Sequence, residues 1–293
     1  MATAAQRPKL LAIVGETASG KSDLAMKVAK TFGGEIITAD SWTVYKNFDI
    51  GTSKPSKAHQ KQVRHHLLDV TDAKEDFNAP KFKELAEVAI TYIQNRGKLP
   101  IIVGGTGLYI DSVLFDFGFL PNVGPNERRR LNKMTIPGLL ELAKSRKIDL
   151  TNIDVRNKRR IIRAIEAKGQ RPTKKEMKPR TLIIGLKVPR DELKQRVEHR
   201  TQRMIDNGLE QEVTMLSTKY GWDSEPMKGI GYQQWRKYFE EEQSLEETKN
   251  RIISATMNLA KRQRTWFKRN RAIKWFSSPE SAFKAIKKEL LNT

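Results

Sequence analysis

With 293 residues, 38% hydrophobic and 30% charged, the chain is long enough for one large α/β domain or a core carrying a smaller one. It has no cysteine, which excludes a disulfide framework, a thiolate nucleophile and a Cys-ligated zinc site and suits a reducing cytoplasm. No apolar run approaches the roughly 18 residues a bilayer span needs, so no membrane partner is expected.

The N-terminal "MATAAQRPK" lacks an apolar core and reads as a disordered lead-in rather than a secretory signal. "KLLAIVG" reads as a buried strand, and "KSDLAMKVAKTF" as a helix with Leu24, Val28 and Phe32 on one face, stopped by Gly33-Gly34. "EIITAD" is the next strand and "FKELAEVAITYIQNRG" an amphipathic helix ending at Gly97. "LPIIVGGTG" is a third strand opening into glycines. Such alternation predicts a parallel α/β sheet. From 116 a Pro- and Gly-rich exit, "DFGFLPNVGP", leads to basic helices around 126–147 and 155–168. "TLIIGLKV" (181–188) then reads as a strand rejoining the sheet. The predicted organisation is a core of 1–115 with 181–293, carrying 116–180 as an inserted small all-helical domain. The remainder is helical, with 190–221 and 244–270 its longest periodic segments.

The net charge of +21 is regional. Residues 1–115 hold 15 basic and 12 acidic side chains, whereas 128–180 alone hold 18 and 5. A field this one-sided favours a polyanionic partner, nucleic acid above all.

Gly15, Glu16, Thr17, Ala18, Ser19, Gly20, Lys21 and Ser22 fit G-x-x-x-x-G-K-[ST] between a strand and a helix. This P-loop cradles phosphate oxygens with backbone N–H groups and a helix N-terminus; Lys21 adds a point charge and the Ser22 hydroxyl can ligate Mg²⁺. The motif leaves the reaction open, because any diphosphate ester fits it. Asp40, at the carboxyl end of the second strand, could be a general base, a magnesium ligand through water or an N-cap. Thr106, in the Gly104-Gly105-Thr106-Gly107 turn, offers a hydroxyl near the phosphates or merely occupies a turn. Arg156, Arg160 and Arg163 recur at helical spacing, while Ile162 and Ile165 face elsewhere. Lys261, Arg262 and Arg264 interleave with Trp266 and Phe267, aromatics more often core than stacking platforms. His65-His66 has no accompanying ligand set and reads as structural.

Taken together, "GETASGKS", "ADSWTVYKNFDIGTSKPS", "HHLLDV", "VGGTGLY", "RRIIRAIEAKG", "RTQRMIDNGLEQEV", "GIGYQQ" and "AKRQRTWF" resemble, in order, the motifs of tRNA dimethylallyltransferases. The resemblance runs through nearly the whole chain. It implies a P-loop NTPase-like α/β core with an inserted helical domain gripping the anticodon arm of tRNA. It implies transfer of a dimethylallyl group from dimethylallyl diphosphate to N6 of an adenosine, at position 37 beside the anticodon. Residues Gly15 to Ser22 would hold the diphosphate, with Mg²⁺ at Ser22. Asp40 falls on the general base, Thr106 on a site-lining position and Arg200 on an arginine that steadies the departing diphosphate. Asp40, Ser41, Trp42, Thr43, Thr106, Arg128, Arg159, Arg160, Ile161, Ile162, Arg163, Lys228, Gly229, Ile230, Gly231, Tyr232 and Gln233 fall on segments that contact the tRNA. The resemblance implies a cytoplasmic enzyme, expected to be a monomer.

The chain departs from the family pattern in places. Thr43 stands where the family usually has Gln, and Glu16 where it has Pro. "KGQRP" replaces the "TG" after the basic helix, the insertion is short, and no C-terminal zinc finger follows, which points to a bacterial-type enzyme. The rival readings are an adenylate isopentenyltransferase, a P-loop small-molecule kinase and an RNA-binding module with a vestigial P-loop. The net charge beyond residue 115 argues against the first.

Overall fold

The structure is a computed structural model describing residues 8–120, 124–170 and 172–291. The lead-in over 1–7, part of the "DFGFLPNVGP" exit and Arg171 of "KGQRP" lie outside the described residues. The chain divides into two compact units, Met1–Leu114 with Met177–Thr293, and Phe115–Glu176.

The larger unit is built on a six-stranded sheet in which every pairing is parallel. Its strands are β1 (Leu10–Gly15), β2 (Gly34–Ala39), β3 (His65–His66), β4 (Leu99–Gly104), β5 (Thr181–Leu186) and β6 (Lys274–Phe276), in the order β3-β2-β4-β1-β5-β6. Every residue of β1 and of β4 is buried, as a strand covered on both faces requires. The helices between β1 and β5 are α1 (Lys21–Phe32), α2 (Lys57–Gln62), α3 (Ala79–Asn95), α4 (Gly107–Leu114), α5 (Pro125–Lys133), α6 (Ile136–Ser145) and α7 (Lys158–Glu166). Beyond β5 come α8 (Arg190–Asp206), α9 (Leu209–Tyr220), α10 (Arg236–Phe239), α11 (Leu245–Phe267) and α12 (Pro279–Leu291).

Leu24 and Val28 of α1 meet Leu11, Ile13, Ile101 and Ile184 of the sheet and Ile286 and Leu290 of α12 in one core cluster. A second cluster joins Val44, Tyr45 and Phe48 to Leu209, Val213, Tyr232 and Trp235. It ties the segment after β2 to the C-terminal helices. None of the described helices is long and apolar enough to cross a membrane.

"TLIIGL" does rejoin the sheet, pairing with β1 from Leu10–Thr181 to Gly15–Leu186. Other expectations need correction. Gly33 ends α1, but Gly34 already belongs to β2. The periodic segment after β5 is two helices, because Gly208 takes a left-handed φ of 94° and opens α9. The basic stretch expected at 126–147 is likewise two, since Thr135 accepts the Gly138 N–H at 3.3 Å and starts α6 with Pro137 in its first turn. The Asn157 side chain accepts the Arg160 N–H and caps α7, so Arg156 lies before the helix rather than on its face.

The smaller unit has its own core of Leu131, Leu139, Ala143, Ile161, Ile162 and Ile165. Within it, Glu166 is buried and accepts from Arg128 at 2.5 Å and Arg163 at 3.5 Å. Arg163 also donates to the Leu120 carbonyl at 2.6 Å, while Arg159 and Arg160 are exposed.

Candidate active site

A parallel sheet gathers the loops after its strands at their carboxyl ends, and here β1, β2 and β4 contribute there to one cleft. It has a volume of about 1020 Å³ and is lined by the P-loop from Thr17 to Ser22, by Asp40 and Thr43, and by Arg196, His199, Arg200 and Arg203 of α8.

The loop is wound on itself. Gly20 reaches φ 90° to start α1, a conformation that suits glycine. The Glu16 carbonyl accepts from the Ser19 hydroxyl at 2.7 Å, from the Ser19 N–H at 3.3 Å and from Lys21 Nζ. A helix from the far end of the chain braces the same loop. In α11, the Gln263 side-chain carbonyl accepts the Thr17 N–H at 2.7 Å. Arg264 reaches both oxygens of the buried Glu16 carboxylate, Nη2 to Oε2 at 2.8 Å, and donates to the Val188 carbonyl at 2.9 Å. Trp266 donates to Asp111 at 3.0 Å and lies against Gly107.

Asp40 follows β2, and its Oδ1 accepts the N–H groups of Trp42 at 2.8 Å and Thr43 at 3.4 Å, which folds the chain back beneath it. Burial raises its pKa above the usual carboxylate range, although the Trp42 and Thr43 amides and the charges of Lys21 and Arg200 pull the other way. Burial, then the nearby Arg200 charge, brings Lys21 down to about 7 against the opposing pull of Asp40 and Glu16. Arg200 is itself lowered by burial, and it donates to the Thr17 hydroxyl at 2.9 Å. Two buried polar atoms of the cleft lining, Arg200 Nε and Thr43 Oγ1, have no hydrogen-bond partner among the described residues. Such groups call for a polar ligand, because leaving them unpaired costs about 1–3 kcal/mol each.

Lys21, Ser22, Asp40, Thr43 and Arg200 are thus brought together. Thr106 stands beside them, its hydroxyl accepting the Ser41 N–H at 3.2 Å and so holding the Asp40 turn. Trp42 packs on Tyr45 and lies over Gly229. Lys228 and Gln233 are exposed, Ile230 is half-buried, and Gly231 turns the chain at φ 96°. Three residues on segments expected to contact RNA have buried side chains. Ile161 and Ile162 are core residues of the smaller unit, and Tyr232 is buried with its hydroxyl on Glu212 at 2.7 Å. Glu212 also accepts the N–H groups of Asp49, Ile50 and Gly51, so it and Tyr232 anchor the loop beyond Asp40.

The braces Gln263, Arg264 and Glu212 are site residues that the sequence does not reveal as such. "AKRQRTWF" and "RTQRMIDNGLEQEV" contain them, but no spacing links them to a P-loop.

Among the described residues there is no cluster of three or more metal-ligating side chains. A magnesium ion needs none, since it is usually held by one or two protein groups and the substrate phosphates. The Ser22 hydroxyl, exposed on the cleft wall, fits that role.

A sequence model of the family described as IPP transferase matches residues 43–270. A tRNA dimethylallyltransferase of Pediococcus pentosaceus is 42% identical over 288 residues, spanning 92% of this chain and 90% of that protein. The crystal structure of a full-length tRNA isopentenylpyrophosphate transferase from Bacillus halodurans superposes with a TM-score of 0.75 at 32% identity, over 97% of both chains. A related transferase structure from Staphylococcus epidermidis gives 0.73 at 31% identity, over 97% of this chain and 99% of that one. With most of its length matched in this way, by sequence and by structure, the chain belongs to the IPP transferase family.

Proposed function

We propose that this chain transfers a dimethylallyl group from dimethylallyl diphosphate to N6 of an adenosine in tRNA, at position 37 next to the anticodon, releasing diphosphate. The single observation behind this reading is that Asp40 shares one cleft with Lys21 and Arg200 at the mouth of a P-loop. A base and a leaving-group cradle are the two devices an alkyl transfer to an exocyclic amine needs.

The bond from N6 to the allylic carbon forms as the bond from that carbon to the diphosphate oxygen breaks, and the N6 proton passes to an Asp40 oxygen. Asp40 is well suited, because a carboxylate raised by burial is a stronger base than an exposed one. The P-loop amides and Lys21 hold the diphosphate, and Arg200 meets the charge that grows on it. A magnesium ion at Ser22 would neutralise part of that charge. Thr106 fixes the turn that presents Asp40. The target base would have to leave its stack to reach Asp40, and Thr43, whose buried hydroxyl has no partner among the described residues, would meet it. Lys228, Gly229 and Gln233 would contact tRNA beside Trp42, and Arg128, Arg159, Arg160 and Arg163 would grip the anticodon stem-loop from the smaller unit. The enzyme is proposed to act as a monomer in the cytoplasm.

The test is incubation with labelled dimethylallyl diphosphate and either unmodified tRNA or AMP. Label in tRNA is the expected outcome. Label in AMP would make the chain an adenylate isopentenyltransferase, and phosphate transfer from ATP without prenyl transfer would make it a kinase.

A further inference from the structure

A carboxylate inside a phosphate-binding loop is an electrostatic oddity. Glu16 is 2% exposed, and its charge is felt at Lys21, whose protonation it favours. Unbalanced, that negative charge would oppose a bound diphosphate. It is balanced by Arg264, which meets the carboxylate through two nitrogens and is anchored by the Val188 carbonyl at 2.9 Å. Next to Arg264, Gln263 takes the Thr17 N–H at 2.7 Å, and the Thr17 hydroxyl in turn accepts from Arg200 at 2.9 Å. The end of α11 therefore grips two successive residues of the loop, one through charge and one through an amide. The Glu16 main-chain carbonyl, on the residue so gripped, is where Lys21 Nζ rests.

We infer that Glu16 and Arg264 are a positioning pair: α11 sets the shape of the diphosphate cradle through them, and the pair keeps the cradle's net charge fit for the polyanionic diphosphate. This rests on the reading that the P-loop holds a diphosphate. Neither residue touches the reacting atoms. Their two charges act on a bound diphosphate with opposite sign, which gives the pair a signature that loss of structure would not mimic. Removing Arg264 exposes the carboxylate to the diphosphate. Removing only the Glu16 charge leaves an unopposed cation beside it.

The experiment compares the wild type with Arg264→Met, Glu16→Gln and the double variant. It measures binding of inorganic diphosphate by calorimetry and KM for dimethylallyl diphosphate and for tRNA. Arg264→Met is expected to weaken diphosphate binding about tenfold or more and to raise KM for dimethylallyl diphosphate in step, because it strands a buried charge. KM for tRNA should stay within about twofold. Glu16→Gln should bind diphosphate more tightly than the wild type, and the double variant should return to within about threefold of it. Weakened binding in both single variants, or a double variant no better than Arg264→Met, overturns the pairing. If Arg264→Met fails to fold, the sign of the Glu16→Gln effect and the behaviour of the double variant still decide. A wild type that binds no diphosphate would sink the P-loop reading instead, whereas normal wild-type binding with additive losses sinks only the pair.

Discussion

The two units differ in how they use charge. In the larger one Glu16, Lys21 and Glu35 are buried, and each is engaged by named partners. In the smaller one Arg159 and Arg160 stand exposed on α7, while the buried acid Glu166 is held by Arg128 and Arg163. Buried charge fixes geometry and shifts proton affinities; exposed charge gives salt-dependent attraction and little stability. The larger unit turns buried charge on the cleft, whereas the smaller one sets the buried acid Glu166 behind an exposed basic face.

Perturbing each unit separately should break that contrast if it is wrong. The largest effect is expected from Asp40→Ala, which should lower the rate of transfer by about 10²- to 10⁴-fold, the usual contribution of a general base. tRNA binding, measured by filter retention, should stay nearly intact; undiminished turnover would remove Asp40 from its role. Next comes Arg159→Gln with Arg160→Gln. It should weaken tRNA binding about tenfold and reduce the slope of log K against log salt by about 2, one for each phosphate no longer neutralised. An unchanged slope would move the footprint elsewhere. Arg163 is left out of that variant because it also secures Glu166 and the Leu120 carbonyl.

A smaller effect concerns stability alone. The Glu35 carboxyl is held below its ordinary 4.5, because hydrogen bonds from Lys98 and His66 and the charges of Lys98 and Arg96 outweigh the cost of burying it. A depressed carboxyl contributes stability that is fully present above its unfolded value and is lost as pH falls through the folded one. Glu35→Gln should therefore melt a few degrees lower at neutral pH, and the gap should close under acid; a gap independent of pH would deny the linkage. The smallest signal is a proton count. Lys21 stands at about 7, and a diphosphate oxygen against Nζ would raise it, so binding near or above that pH should take up a fraction of a proton. Calorimetry in buffers of different ionisation enthalpy would show it, and no buffer dependence would contradict the placement of Lys21.

Much of the fold and site is legible in the sequence, and the reasons are local. The P-loop joins a buried strand to a helix in one continuous run, and β5 stands out as an apolar segment after a polar one. His65-His66 does not read as a strand, because two residues have no period, yet they pair in register with Ile36 and Ile37. Lys274–Phe276 escapes for the same reason. The break at Gly208 is hidden because the apolar period runs on across it. The stretches proposed to contact tRNA can be expected as segments, but which side chains within them face inward is a matter of packing: Ile161, Ile162 and Tyr232 go to cores. Glu16 has no visible purpose in the sequence, since its partner lies 248 residues away and only folding brings Arg264 to it.

The neck of the smaller unit has a consequence of its own. The chain leaves the core after Leu114, whose carbonyl accepts the Lys178 N–H at 2.8 Å, and just beyond it Phe115 accepts from Lys175 at 2.9 Å. Departure and return are stitched at one point of the backbone. The residues between can be lengthened, shortened or exchanged for another module at little cost in loop-closure entropy, with no strand of the sheet obliged to shift. Selection can therefore rework the smaller unit while the cleft of the larger one stays untouched.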